Sequence, residues 1–197
     1  MDDVKKAAWS SEVKCLRASF LFNLAFYYKD VPMPLTTLSV EEANSISQTS
    51  QADVYAQVEN DLKDAIDILP PEYPSEEYGR FTRGAAKTLL SRLYLAQERW
   101  DDAAKILKEV IDSEIYELDR RNGEESYDKL FQIGGEYSPE MIFCIMGVKD
   151  MYTNSRYQYL YPEAAYGGWH QFSPYNELVK EYFCIDGKDI KTSEVYD

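Results

Sequence analysis

The stretch that decides the fold is GRFTRGAAKTLLSRLYLAQERWDDAAKILKEVI, residues 79–111. Thr82 is a good N-cap for a first helix that runs through Ala96, because its hydroxyl can accept from the free N–H groups of the first turn. After the turn QERW, a second helix is predicted from Asp101 to about Asp112. The predicted inward residues recur at helical spacing: Ala86, Leu89, Leu93 and Ala96 in the first helix, and Ala103, Leu107 and Val110 in the second.

Two such helices joined by a short turn resemble a tetratricopeptide hairpin. The packing positions of that repeat fall here on Leu90, Tyr94, Ala103, Leu107 and Val110. Since Ala103 is small, the two helices can approach closely. This stretch therefore predicts a mainly α fold built on helical hairpins.

A similar pair is predicted upstream, with a long polar connector over residues 35–48. Its first helix covers residues 4–28 and ends before Pro32, and its second runs from Ser50, a capping residue, to Pro70. The predicted inward residues are Val13, Leu16, Phe20, Leu24 and Tyr27 in the first helix, and Val54, Val58, Leu62, Ala65 and Leu69 in the second.

The pattern changes after residue 113. Residues 140–148 form an apolar run that predicts a strand, and Ser173-Pro174 predicts the start of a short helix to about Phe183. We therefore expect one domain over residues 1–197. Its helical-hairpin scaffold would occupy 1–113, and an irregular, loop-rich part with a little β structure would occupy 114–197.

Composition excludes several classes of function. A formal net charge of −14 disfavours nucleic acid and anionic lipid, since both need clustered Lys and Arg, whereas an uncharged glycan tolerates it. Cys15, Cys144 and Cys184 have no zinc-site spacing, and His170 is the single histidine. We expect no metal and no cofactor, and a Ser-His-Asp triad is possible only through His170.

The segment 152–172 combines aromatic rings with polar side chains around Gly167-Gly168. Proteins bind sugars by laying rings against their apolar C–H faces and by hydrogen-bonding the surrounding hydroxyls. The candidate ligand-binding residues are Trp169, Tyr166, His170, Tyr161, Tyr159, Arg156 and Asn154. A second interpretation stays open, in which the alternating tyrosines of YQYLY lie on one face of a strand and pack on a helix.

Four stretches together resemble the SusD/RagB family: LRASFLFNLAFYYKDVPMP (16–34), DVYAQVENDLKDAIDILP (53–70), the deciding stretch (79–111) and PEMIFCI (139–145). The later segment SPYNELVKEYFCIDGKDI (173–190) is similar to that family's short helix followed by Asp-Gly. The resemblance implies a non-catalytic lipoprotein, exposed on the outer membrane of Bacteroidota. It would capture glycan, or in some branches peptide, and deliver it to a SusC-like TonB-dependent transporter.

Two departures from the family pattern qualify the resemblance. No lipid-accepting Cys is recognisable, since Cys15 follows EVK, and the family continues beyond the Asp-Gly element. We therefore expect an internal piece of a longer protein, bound to the membrane only through a lipid anchor absent from this chain. The alternatives are a cytosolic helical-repeat adaptor that binds peptide and a glycoside hydrolase.

Four further residues have structural interpretations. Trp100 is predicted to pack within the hairpin, and Cys144 to be a buried thiol. Arg80 and Arg83 flank Phe81, and the family resemblance implies a structural role for them, in which each pairs with a helix end or with the acidic face around Asp61–Asp64. Adjacent carboxylates such as Asp101-Asp102 do not indicate the facing pair that glycosidases need.

Overall fold

The computed structural model describes residues 2–132, 134–145, 187, 188 and 192. The chain divides into two compact units, residues 1–146 and 147–197, and the first unit is described below. Its α-helices are α1 (Asp3–Tyr28), α2 (Val40–Ser45), α3 (Gln51–Ile68), α4 (Arg83–Ala96), α5 (Trp100–Ile111) and α6 (Ser126–Leu130). The prediction of a mainly helical fold is confirmed.

Local sequence sets where these helices begin. The Ser50 hydroxyl accepts from the backbone N–H of Asp53, and the Thr82 hydroxyl accepts from that of Ala85, as the sequence predicted. Each bond satisfies one of the N–H groups that a first helical turn leaves without a partner. In the polar connector 35–48, Ser39 and Glu42 form a reciprocal capping box that starts the short helix α2.

The core lies between consecutive long helices. Helix α3 packs on both α1 and α4, and α4 packs on α5, so the chain forms two hairpin-like pairs that share one interior. The predicted inward face of α3 is confirmed, because all five of its residues are buried: Val54, Val58, Leu62, Ala65 and Leu69. Ala103 of α5 is also buried, which allows α4 and α5 to approach closely.

The prediction of which face of α1 is buried is wrong. The stripe Val13, Leu16, Phe20, Leu24 and Tyr27 is exposed. The neighbouring stripe, formed by Cys15, Ala18, Phe22 and Ala25, is buried instead. Helix α1 has apolar residues on both faces, so periodicity alone does not choose between them. Alanine and cysteine on the buried face permit the close contact with α3 that larger side chains would prevent.

The expected β structure is absent from the described residues, apart from one antiparallel bridge between Val31 and Thr49. Residues 140–145 of the predicted strand 140–148 are irregular. Their apolar side chains pack on the helical core without forming a strand. Ile142 contacts the core and the Phe143 ring stacks on Phe81. Cys144 is accordingly half-buried rather than fully buried.

Two side-chain predictions in the hairpin are also corrected. Trp100 is 61% exposed and does not pack within the hairpin, whereas the Tyr94 ring at the same turn lies 4.2 Å from the Arg99 guanidinium. Arg80 does not reach the acidic face of α3, since its guanidinium is bound by Glu12 and Glu77. The prediction for Arg83 is confirmed, because its Nε donates to the carbonyl of Leu69 at the end of α3.

Candidate functional site

The ligand-binding residues predicted from the sequence lie outside the described residues, so their role stays a prediction. They are Asn154, Arg156, Tyr159, Tyr161, Tyr166, Trp169 and His170. Cys184 and the predicted helix from Ser173 also fall there. The first unit nevertheless contains a candidate site of its own.

This site is a cleft between the loop 71–82 and the segments 115–121 and 137–144. Its volume is about 470 Å³, within the range of ~300–1,000 Å³ that is usual for small-molecule sites. Among the described residues, four tyrosines line it: Tyr73, Tyr78, Tyr116 and Tyr137. We call it the aromatic cleft.

A turn at Gly79 brings Arg80 to one wall of the aromatic cleft. Gly79 has φ +93°, a left-handed conformation that residues with a Cβ rarely adopt. The Arg80 guanidinium lies 5.1 Å from the centre of the Tyr73 ring. It donates to Glu12 Oε1 from Nε and Nη2, at 3.1 and 2.6 Å, and to Glu77 Oε2 from Nη1, at 2.7 Å.

The same network fixes the Tyr73 ring. Its hydroxyl donates to Glu12 Oε1 at 3.1 Å. Burial, and then the negative charge of Glu12, raise the pKa of Tyr73 to about 12, so this hydroxyl stays a neutral donor at physiological pH. Tyr73 is therefore a ring held in place by α1 and by the guanidinium beside it.

The Tyr116 ring forms another part of the lining, and its position depends on a glycine. The Tyr116 and Thr82 hydroxyls are hydrogen-bonded at 3.0 Å. A Cβ on Gly84 would lie only 2.6 Å from Tyr116 Cε2, so the ring can rest on α4 only because residue 84 has no side chain. Burial raises the pKa of Tyr116, and the nearby Glu72 carboxylate adds to that effect.

Segment 137–144 supplies the remaining rings. The Tyr137 and Tyr78 rings are 5.1 Å apart and tilted by 51°. Phe143 stacks on the buried Phe81 at 4.3 Å, which ties the segment to the start of α4. Ser138 donates to Asp119 Oδ2 at 2.9 Å, and Glu117 N–H donates to the Pro139 carbonyl at 3.3 Å.

Electrostatically, the aromatic cleft is acidic. Among the described residues, the charged ones that line it are Glu72, Glu77, Glu117, Arg80 and Arg121. Both guanidinium groups are already paired, since Arg121 donates from Nε and Nη2 to the Asp119 carboxylate and thereby holds the pKa of Asp119 well below its usual range. Glu72 and Glu117 have no ion-pair partner within 4.0 Å among the described residues.

The chemistry that this arrangement offers is binding. Ring faces can cover apolar surface, while carboxylates and tyrosine hydroxyls can hydrogen-bond to hydroxyl groups. In the part of the chain that the structure describes, no cluster of His, Cys, Asp or Glu is arranged to hold a metal ion. No helix there is both long and apolar enough to span a bilayer.

Sequence reasoning treated EYPSEEYGRFTRG only as a loop and missed the aromatic cleft. The signal was the same as in segment 152–172, namely tyrosines placed where no helix or strand period requires them. The sequence does not reveal that segment 115–144 lies opposite the loop 71–82. Contacts between this segment and the start of α4, such as Phe143 on Phe81, place it there.

Comparison with known proteins agrees with the resemblance. Residues 3–95 match the model of a SusD-like family described as starch-binding and associating with the outer membrane. A curated SusD-like protein of Formosa agariphila is 25% identical over 141 residues, which are 72% of this chain and 26% of that protein.

Solved structures give the same result. A SusD-like carbohydrate-binding protein of Bacteroides fragilis is 29% identical, with a TM-score of 0.88 over 100% of this chain and 38% of its own. A surface glycan-binding protein A of Bacteroides thetaiotaomicron, solved with laminarihexaose, is 26% identical, with a TM-score of 0.60 over 73% of this chain and 29% of its own. The chain thus spans between about a quarter and two fifths of these proteins.

Proposed function

We propose that this chain, which is similar to SusD-like proteins in sequence and fold, captures glycan at the cell surface without breaking any bond. The observation that carries the proposal is the structural match between the whole of this chain and 38% of a SusD-like carbohydrate-binding protein. A cleft lined by four tyrosines supports it, because ring faces can cover the apolar C–H faces of sugars and the neighbouring carboxylates can accept from sugar hydroxyls. The helices serve as a rigid frame for this surface.

Ligand contact would be shared between the aromatic cleft and the predicted residues of segment 152–172. Trp169, beside Gly167-Gly168, is the strongest single candidate there, with Tyr166, His170, Tyr161, Tyr159, Arg156 and Asn154 around it. One ring face covered by a sugar contributes about 1–2 kcal/mol, so loss of the Trp169 ring should weaken binding roughly fivefold to thirtyfold.

Delivery is the second part of the proposal. A capture protein of this kind would act on the outer membrane of Bacteroidota, held by a lipid anchor, and pass its glycan to a SusC-like TonB-dependent transporter that docks on the helical scaffold. The family description, which names association with the outer membrane, supports this location. Co-purification of such a transporter with the tagged intact polypeptide from native membranes would test it.

Affinity electrophoresis of the intact polypeptide tests the capture itself. Gels containing laminarin, starch, xylan or mannan should retard the protein, and Trp169→Ala should reduce the retardation. Trp100→Ala is the matched control, since Trp100 is an exposed tryptophan on the scaffold outside both candidate regions.

Three results would contradict the proposal. If no polysaccharide retards the protein, capture of these glycans is excluded. Release of shortened saccharides would indicate a hydrolase, and binding of peptides alone would indicate an adaptor. Equal effects of Trp169→Ala and Trp100→Ala would remove Trp169 from the site.

A further inference from the structure

We infer that the exposed apolar face of α1 docks against a further amphipathic helix, supplied by the same polypeptide from outside residues 1–197. This face carries six large side chains, which we call the outer stripe: Trp9, Val13, Leu16, Phe20, Leu24 and Tyr27. Their exposure ranges from 43% to 73%. The inference concerns how the helical frame is completed, and it does not depend on the proposed glycan capture.

The outer stripe has the geometry of a seam between two helices. Its members follow one another at spacings of 4, 3, 4, 4 and 3 residues, so they lie within roughly 80° of one another around the helix axis. From Trp9 to Tyr27 the stripe extends about 27 Å, because an α-helix rises about 1.5 Å per residue. A second helix of about five turns can therefore pack along all of it, with its own ridges in the grooves of α1.

The size of the outer stripe marks it as an interface. An aromatic side chain covers roughly 150–250 Å², so Trp9, Phe20 and Tyr27, at 48%, 67% and 73% exposure, leave roughly 300–450 Å² open between them. The three aliphatic members extend the same patch. Contiguous apolar patches beyond a few hundred Å² are rare on soluble monomers and mark surfaces that bind another molecule.

The two outermost long helices of the described unit differ in their exposed faces. Helix α5 exposes charged side chains, among them Asp101, Lys105 and Lys108. Helix α1 has no charged residue between positions 18 and 28. In stacks of helical hairpins the terminal unit has a polar outer face, whereas an apolar face is buried by the next unit. Helix α1 therefore has the surface of an interior helix of a larger stack.

The molecule that covers the outer stripe must itself be largely apolar. Two polar side chains beside the stripe are already engaged, since Glu12 accepts from Arg80 and Asn23 donates to the Ser19 carbonyl. A sugar needs hydrogen-bonding groups around it, which the aliphatic members of the stripe do not supply. The apolar face of an amphipathic helix needs none, because its backbone groups are bonded within the helix.

Charges at one end of α1 specify the partner helix further. Lys5 and Lys6 lie on the same face as the outer stripe, about one turn before Trp9. Both are exposed, and neither forms an ion pair with another described residue. A partner that runs antiparallel to α1 brings its C-terminal end to these lysines. The free carbonyl groups of that end, together with acidic side chains in its last turns, complement the two positive charges.

The length of similar proteins indicates where this helix comes from. The whole of this chain matches only 38% of the solved Bacteroides fragilis protein, at a TM-score of 0.88. Most of that protein's single polypeptide therefore lies outside the matching part. In a protein built on the same plan, a helix of the same polypeptide is held near α1 at high effective concentration, whereas a second copy or a separate protein must first associate.

Thiol labelling of the intact polypeptide, purified without other proteins, tests whether the outer stripe is covered. Phe20→Cys and Ile111→Cys are compared with Cys144 and Cys184 replaced by serine, while the natural Cys15 is buried and stays unlabelled. Phe20 is 67% exposed and Ile111 is 73% exposed, so a free stripe predicts equal rates of reaction with a maleimide. We expect the cysteine at position 20 to react at least about tenfold more slowly.

A carbodiimide, which joins a lysine to a carboxylate in direct contact, identifies the partner in the unmodified polypeptide. We expect mass spectrometry of the monomeric fraction to find Lys5 or Lys6 joined to an Asp or Glu outside residues 1–197. This measurement needs no substitution, so it remains decisive even where a cysteine variant fails to fold.

Four outcomes would overturn the inference. Equal labelling at positions 20 and 111 would show that the outer stripe is free. Cross-links of Lys5 and Lys6 only within residues 1–197 would exclude the proposed partner. Protection or cross-linking confined to a dimer would assign the stripe to a second copy. Protection that appears only after a separate protein is added would assign it to that protein. None of these results bears on glycan capture, which the retardation in polysaccharide gels tests.

Discussion

Arg17 and Asp61 form a bidentate ion pair across the interface between α1 and α3. Nε donates to Oδ2 at 2.7 Å and Nη2 donates to Oδ1 at 2.6 Å. Asp61 is only 2% exposed, and Gln57 Nε2 adds a third donor to its carboxylate at 2.9 Å. A charge buried this deeply is stable only while its partners remain, so this pair fixes how α1 sits on α3.

Removing the cation should therefore destabilise the fold strongly. Arg17→Met leaves Asp61 buried without its main partner, and we expect it to lower the free energy of unfolding by about 3 kcal/mol or more. Urea denaturation measures the change. Lys14→Met is the control, because the Lys14–Asp64 pair at 2.6 Å is exposed and should contribute less than about 1 kcal/mol. Equal losses for the two variants would contradict this account of the interface.

The orientation of α1 can be tested with two phenylalanines two positions apart. Phe22 is 7% exposed and lies 6.0 Å from the Tyr55 ring, whereas Phe20 is 67% exposed. Phe22→Ala should cost about 3–5 kcal/mol in unfolding free energy, through lost burial and a cavity. Phe20→Ala should change it by less than about 0.5 kcal/mol in residues 1–197 alone. A larger loss for Phe20→Ala than for Phe22→Ala would show that α1 buries the face that periodicity alone predicted.

A pH dependence follows from Glu59, at the junction of α3 with the α4–α5 turn. Burial alone would raise its pKa, but hydrogen bonds from Arg99, Lys63 and Tyr94 outweigh burial and lower it from 4.5 to about 2. The folded state thus favours the ionised form. This contribution is present above pH 4.5 and is lost as the pH falls from 4.5 towards 2.

The measurement is the free energy of unfolding between pH 5 and 2 for the natural sequence and for Glu59→Gln. The natural protein should lose roughly 1–2 kcal/mol more than the variant over this range. Glu109→Gln, which removes a half-exposed carboxylate paired with Lys87, should follow the natural curve. Identical curves for Glu59→Gln and the natural protein would show that this network does not stabilise the fold.

The aromatic cleft depends on Gly84, and this too can be measured. Gly84→Ala should displace the Tyr116 ring and break its hydrogen bond to Thr82, because the new Cβ would lie 2.8 Å from Tyr116 Cζ. We expect weaker binding of a neutral oligosaccharide together with a retained helical circular dichroism spectrum. Ala104→Gly, at an exposed site on α5, controls for a change between glycine and alanine in a helix. Unchanged saccharide affinity would show that the position of Tyr116 does not matter for binding.

How far the sequence predicts this molecule depends on how local each determinant is. Caps at Ser50 and Thr82 and the single apolar face of α3 are local, so the starts of these helices and the buried face of α3 follow from pattern alone. Helix α1 is apolar on two faces, so the choice of its partner needs tertiary contacts such as Arg17–Asp61. The apolar run at 140–145 predicts burial correctly for Ile142 but not its backbone form, because a strand needs a neighbouring strand.

The candidate site shows the same limit. Tyrosines in loops indicate a binding surface, and that signal is visible at 73–78 as well as at 157–166. Which rings share a cleft is decided by long-range contacts, such as Phe143 on Phe81, and by the space left at Gly84. Neither the Phe143–Phe81 contact nor the space beside Gly84 can be recognised from the sequence alone.

The central claim is that a helical frame holds neutral saccharide by surface contact and leaves every bond intact. Titrating laminarihexaose and the other neutral hexasaccharides into the intact polypeptide, then recovering the sugars for mass spectrometry, tests it most directly. The account predicts saturable binding of at least one probe, with every hexasaccharide recovered at its original mass. Recovery of shorter sugars, or the absence of binding across the neutral panel, would contradict it.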